Sequence, residues 1–314
     1  MDIRDTLVRY GYLLSKRYNW KQKQLFTKHI GDEFQKMGYE VRGVLSDQKK
    51  NPAMNLVVGD LAKAKKIVIA HYDTPKRLFI STKYYPLNEY KSFKAKEIAA
   101  NIPFLLIFMF GTAVIYLCRD FFRFTGFNVE TLLSCLIVLV FGLFSFLFSA
   151  GPANPFNMQR NSAAVVAVIA LAEKLKKKKD IAFVLTDREL NNHAGDHMVQ
   201  QALPTTLKDR TVLHLHCIGK GPAVGIGFEE ANLGLATKLE SIFKGKHQTL
   251  LKSMSEKEIK LHSLGFYPKA ITVSSGEVVE DEILVRDTST RKDNSVDLEF
   301  FESLIEGLET YLKS

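Results

Sequence analysis

Apolar positions along the chain follow two kinds of pattern. Residues 2–14 and 21–37 place them three and four apart, the period of a helix with one buried face. Short strand candidates follow at 39–44 and 55–58, then a continuous apolar run at 66–70, bounded by charge. Further along, 162–176 reads as a helix rich in alanine and valine, 181–185 as a second buried strand and 211–216 as a third. Helices are also predicted over Leu233–Phe243 and 298–312. Strands that are apolar throughout, rather than alternating, are covered on both faces. The order of elements therefore predicts an α/β fold with a mainly parallel mixed sheet and helices on both sides. Ligands of such sheets collect beyond the carboxyl ends of the strands, where His71, Asp73, Glu189 and His216 fall.

Two longer runs interrupt this alternation. No residue is charged from 98 to 118 or from 131 to 150, and each run has about the 20 residues a helix needs to cross a bilayer. The short segment 119–130 would return the chain to its starting side. These runs predict a transmembrane hairpin, with two buried helices of a large core as the alternative. Lys83, Lys91, Lys94 and Lys96 precede the first run, whereas Arg119 and Arg123 in the connection sit beside Asp120 and Glu130. The positive-inside bias then puts the soluble part and both termini in the cytoplasm, with the spans in a bacterial cell membrane. Residues 1–19 lack the continuous apolar core of a signal peptide. The expected organisation is residues 1–96 and 151–314 as two parts of one α/β domain, with 97–150 inserted as the hairpin. The bilayer is then one partner, through 98–118 and 131–150.

Composition narrows the function classes. With 314 residues, 46% of them hydrophobic and 25% charged, the chain can bury a full core, and disorder does not dominate. Cys118, Cys135 and Cys217 are too few for a disulfide framework or a thiolate cluster, which favours a reducing compartment. The net charge of +9 does not mark a nucleic-acid binder, because the basic residues are dispersed. Their densest run, Lys174 with Lys176 to Lys179, closes a predicted helix and complements its dipole.

Three strings carry candidate chemistry: Ile67-Val-Ile-Ala-His71-Tyr-Asp73-Thr74, the stretch from Asn161 to Ala170, and Ile181-Ala-Phe-Val-Leu-Thr-Asp187-Arg-Glu189. In order, spacing and strand-end placement they resemble the zinc-dependent aminopeptidase family, which includes the bacterial leucyl aminopeptidases, glutaminyl cyclases and glutamate carboxypeptidase-like proteins. The resemblance covers nearly all of the chain outside the hairpin. It implies that His71 is a zinc ligand and that Asp73 supports it from behind, fixing the tautomer of the imidazole. It also implies that Glu189 is the general base acting on a metal-bound water.

Several positions depart from the family. Where its members have a metal-bridging aspartate before asparagine, this chain has Arg160-Asn161. A second glutamate, a metal ligand, is replaced by Leu190. A ligand aspartate is replaced by His216, and a late ligand histidine by Asp287. Three possible ligands remain, His71, His216 and Asp287, and three protein ligands plus water suffice for a catalytic zinc. A guanidinium about 4 Å from a dication, however, is repelled by roughly 8 kcal/mol at an effective dielectric near 20. Arg160 is therefore expected to replace the metal and to pair with Asp287 or Glu189.

The leading expectation is a membrane-anchored aminopeptidase-like protein with a degenerate site, non-catalytic and binding or scaffolding a peptide or amino-terminal ligand without a cofactor. An active hydrolase with one zinc is the alternative, and an accessory subunit contacting a membrane protein is a third reading. Glu189, His193 and His197 at four-residue steps suggest a second metal constellation, but Ala194 stands where zinc endopeptidases carry their base. A loop and helix start is the plainer reading of that segment. The glycine-rich string from Gly219 to Gly227 lacks the lysine and serine of a phosphate loop and reads as strand, turn and strand.

Overall fold

The computed structural model describes residues 2–48, 52–78, 80–117, 129–150, 153–188, 193–203 and 205–314. Its helices are α1 (Ile3–Val8), α2 (Trp20–Lys36), α3 (Glu89–Leu117), α4 (Val129–Ala150), α5 (Ala163–Leu175), α6 (Ala194–Ala202), α7 (Leu233–Phe243), α8 (Glu256–Lys260) and α9 (Leu298–Lys313). The strands are β1 (Val41–Leu45), β2 (Met54–Val58), β3 (Lys66–His71), β4 (Lys83–Tyr84), β5 (Ile181–Thr186), β6 (Thr211–Leu215), β7 (Ala223–Phe228), β8 (Gln248–Ser253), β9 (Ala270–Val279) and β10 (Glu282–Arg286).

They form one ten-stranded sheet in the order β1-β2-β5-β3-β6-β9-β10-β4, with β7 pairing both β8 and β9. The centre, β5-β3-β6-β9, is parallel. The margins differ from the mainly parallel expectation, because β1, β2, β4 and β10 join antiparallel and β7 runs antiparallel to β9. Both parts of the chain that flank 97–150 contribute strands to this sheet.

Alternation along the central strands divides the core. Val68 and Ala70 of β3 face a large cluster with α1, α2, α5, α7 and α9, while Ile67 and Ile69 face a smaller one with Val199 of α6 and with Leu264 and Tyr267. Helices therefore cover both faces, and every residue of β5 is buried, which is why its apolar run is unbroken. α2 starts at a capping box between Asn19 and Gln22.

The uncharged runs do form helices, α3 and α4, and they pair closely. A Cβ at Gly111 would lie 2.5 Å from the Phe141 ring, so only glycine permits that approach. Leu105, Phe108 and Met109 of α3 and Leu132, Leu136 and Val138 of α4 are exposed, so the pair is not a buried part of the core. Nevertheless, among the described residues no helix is long and apolar enough to cross a membrane. This corrects the expectation of a two-span membrane protein with cytoplasmic termini. The first run is not a separate element: α3 begins at Glu89, and its opening turns carry Glu89, Lys91, Lys94, Lys96 and Glu97. Cys118 and most of the 119–130 connection lie outside the described residues.

Candidate functional site

Parallel register brings the carboxyl ends of β5, β3 and β6 level, with His71 opposite Thr186 and Ala70 opposite Leu215. His214 and His216 lie two residues apart on β6 and its extension, so their side chains share one face. The His214 ring lies 4.8 Å from His71, 5.5 Å from His216 and 5.4 Å from His262. His193, at the start of α6, packs edge-on to His71 at 6.4 Å. Five of the eight histidines thus gather at the strand ends.

Arg160 enters this cluster from a π-helical turn, Met158–Ser162, that leads into α5. Such turns widen the helix by one residue and commonly place functional side chains. The side chain is buried. Its Nη1 donates to His216 Nε2 at 2.8 Å and to Cys217 Sγ at 3.3 Å, and the guanidinium stacks 4.0 Å from the centre of the Tyr84 ring. Tyr84 donates to Glu89 Oε1 at 2.5 Å, so the first residue of α3 reaches the same cluster. Asp293 Oδ2 accepts from the Arg160 backbone at 3.2 Å.

The other expected site residues separate. Asp73 is buried beside the cluster, but the oxygen at His71 Nδ1 is the Thr186 hydroxyl, at 2.7 Å. The charge facing Asp73 is Arg17, whose buried guanidinium is pulled down to about 9 by desolvation and partly restored by Asp73 and Tyr72. Asp287 bonds Ser81 Oγ at 2.6 Å and lines a smaller cavity with Lys292 and Asp293, apart from the grouped histidines. Glu189 and Leu190 lie outside the described residues. His197 packs on Phe266 at 4.5 Å rather than beside His193 as a ligand pair.

A cleft of about 1110 Å³ opens over the cluster. Its lining includes Lys23, Lys76, Arg160, Arg188 and Lys260 against Asp73, Glu89 and Glu97, with Tyr18, Tyr90, Phe93 and Phe266 between them. The surplus of cations favours an anionic group on the ligand, and the aromatics favour an apolar body.

Burial first, and then the positive neighbours, hold both His214 and His216 well below the usual imidazole range. For His216 the largest of those neighbours is Arg160. Both rings stay neutral in the folded state at pH values where the unfolded chain protonates them, below about 6.5. Stability is therefore fully present above that pH and falls below it, by up to about 1.4 kcal/mol per histidine per pH unit. Asp293 acts oppositely: burial raises it to about 6 against the Gln159 and Arg160 backbone N–H groups, so the folded state takes up its proton first below that pH. The urea midpoint of chelator-treated protein is expected to fall steadily from about pH 6.5 down to pH 5, because proton uptake by Asp293 below about pH 6 offsets the growing slope from the two histidines. A flat profile between pH 7 and 5 would show that the two histidines are not buried as neutral rings.

The mixed sheet with its covering helices has the fold of glutaminyl cyclases and of an aminopeptidase. The glutaminyl cyclase of Porphyromonas gingivalis superposes with a TM-score of 0.60 at 10% identity, over 99% of this chain and 95% of that one. The LapA aminopeptidase of Legionella pneumophila gives 0.59 at 13% identity over 99% and 70%, and the glutaminyl cyclase of Macrostomum lignano 0.57 at 11% over 98% and 88%. At these identities the likeness is one of fold. No family model and no curated protein matches the sequence.

The two-metal site implied by the resemblance does not fit these residues. Arg160, which the resemblance aligns with the bridging aspartate, donates an N–H to His216 Nε2, while Asp287 is held elsewhere by Ser81. A dication there would lose the His216 donor and face the guanidinium. His214, Asp196, His262, Ser263 and Thr186 also belong to the cluster and were not singled out from sequence. A period of two back from His216 was the one signal that could have found His214.

Proposed function

We propose that this chain is a binding protein for a peptide or amino acid with a free carboxylate, built on an exopeptidase-like scaffold whose two-metal chemistry is lost. The observation that carries this reading is the Arg160 guanidinium on the wall of the cleft, seated between His216 and Tyr84. A guanidinium is a rigid fork of donors that matches a carboxylate, and in a buried position such a pair is stronger than at the surface. Asp73 and Glu89 line the same cleft and supply the opposite charge for an amine. The aromatic side chains at the mouth suit an apolar residue of the ligand.

Titration calorimetry with the dipeptide Leu-Phe and its carboxy-terminal amide tests this. Loss of one charge-assisted contact of about 2 kcal/mol should weaken the amide about 30-fold. Equal affinities would show that the carboxylate is not what the cleft recognises.

A second reading is an amide hydrolase with a reduced metal inventory. It is favoured by two groups of side chains whose ligand atoms lie within 4.8 Å of one another: His71, His214 and His216, and His71, His193 and Asp196.

A further inference from the structure

We propose that His71, His193 and Asp196 form a site for a divalent transition cation of the zinc type, on the His193 side of His71 and away from the position Arg160 has taken. The site shares only His71 with the ligand positions of the family, and it does not depend on what the cleft binds.

Three ligand atoms gather there around the Ser263 hydroxyl oxygen, which completes a four-cornered set of donors about the space between them. His71 Nε2, His193 Nδ1 and Asp196 Oδ2 lie 2.8, 3.2 and 2.8 Å from Ser263 Oγ. The far atom of each ligand is held by a further partner. His193 Nε2 lies 3.2 Å from the Leu261 carbonyl, which can only accept, so Nε2 carries the proton and Nδ1 presents its lone pair. Asp196 Oδ1 accepts from the Tyr267 hydroxyl at 2.7 Å, which turns Oδ2 inward. The hydroxyl of Thr186 holds His71 Nδ1 at 2.7 Å, leaving Nε2 to the site. Outer partners of this kind orient ligands and set their tautomers in metal sites.

His193 Nδ1 and Asp196 Oδ2 stand 3.2 Å apart, close enough to share one cation, whether a metal ion or the proton of a charged His193. Two imidazoles and one carboxylate make a borderline donor set, suited to Zn²⁺ and Co²⁺ rather than Mg²⁺ or Ca²⁺. The alternative group, His71, His214 and His216, has no carboxylate, and its His216 is bonded to Arg160.

The backbone holds this geometry at a cost. His193 sits in the left-handed region, φ 51° and ψ 40°, immediately before α6. Strain of this kind gathers where a side chain must be aimed. Two residues on, a Cβ at Gly195 would meet the Asp187 carbonyl at 2.6 Å and Asn55 Oδ1 at 2.7 Å, so α6 starts clamped against the end of β5. His193 also lines the cleft, which gives an ion a way in.

The full chain, stripped with chelator and dialysed, is titrated with Zn²⁺ alone and separately with Co²⁺. The expected results are one equivalent bound at micromolar affinity or tighter, and a visible Co²⁺ absorption band of low coordination number. His193→Ala, at a partly exposed position, should weaken binding more than about 100-fold, beyond what loss of an outer partner costs. Asp196→Asn, which keeps the Tyr267 contact, should do the same, and His216→Ala should leave the affinity unchanged. Absence of Zn²⁺ binding at 100-fold excess would overturn the proposal, leaving a proton on His193 as the occupant. Binding lost in His216→Ala but retained in His193→Ala would overturn it equally.

Discussion

Arg160→Asp is expected to open a second position to the metal. In the wild type, a dication at the position of the family's bridging carboxylate is repelled by the guanidinium by roughly 8 kcal/mol, for about 4 Å at an effective dielectric near 20. The substitution removes that repulsion and the 2.8 Å bond from Nη1 to His216 Nε2, on which the Tyr84 hydroxyl remains at 2.7 Å, and puts a carboxylate at position 160. His71 is common to both ligand sets, so the stoichiometry stays at one equivalent. What changes is the dependence: Zn²⁺ binding in the variant should tolerate either His193→Ala or His216→Ala alone and be lost only when both are made, whereas His193→Ala alone removes it in the wild type. Elemental analysis of the dialysed variants reads this directly. If Arg160→Asp binds no zinc through His216, then Arg160 is not what keeps a metal from that position.

The second large effect concerns stability. Lys23 Nζ on α2 makes a close ion pair with Asp187 Oδ1 at the end of β5, and the carboxylate is fully buried. It also accepts from the backbone N–H groups of Met54, at 3.2 Å, and Arg188, at 2.8 Å. Lys23→Met leaves a buried carboxylate without its counter-ion, which costs about 3–5 kcal/mol. Paired removal in Lys23→Met/Asp187→Leu should recover part of that loss, because a buried ion pair is replaceable by apolar packing at little net cost. Urea midpoints at pH 7.5 measure both. A loss below about 1 kcal/mol in the single variant would place the pair in the regime of solvated surface bridges.

The centre of the fold was legible because burial on both faces writes itself as an unbroken apolar run. β3, β5, α5 and β6 follow their predicted bounds closely for that reason. β9 was not legible: Thr272, Ser274 and Ser275 are buried in it, and small hydroxyl residues do not separate a strand from a loop. Its place between β6, β7 and β10 is set by long-range pairing rather than by local pattern. The runs at 98–118 and 131–150 correctly announced helices. A count of uncharged residues, however, does not locate the start of the helix that carries them, and α3 begins in charge at Glu89.

The site was legible in the same uneven way. His71 and His216 were found because strand ends of a parallel sheet meet at one edge. Arg160 was recognised as out of place, but its partners were not foreseen. The π-helical turn aims it at His216 and Tyr84 instead of Asp287, and a local departure of one residue from helical spacing leaves no mark in the sequence. Asp196 and Ser263 join His71 only through tertiary packing of α6 and the 263–267 segment against the sheet.

The central claim is that the Arg160 guanidinium receives a ligand carboxylate. Calorimetric titration of Leu-Phe and Leu-Phe amide into the wild type and Arg160→Gln, as one double cycle, tests it most directly. The prediction is that the roughly 30-fold preference for the free carboxylate in the wild type disappears in Arg160→Gln, while affinity for the amide stays the same. An undiminished preference in Arg160→Gln would contradict the account.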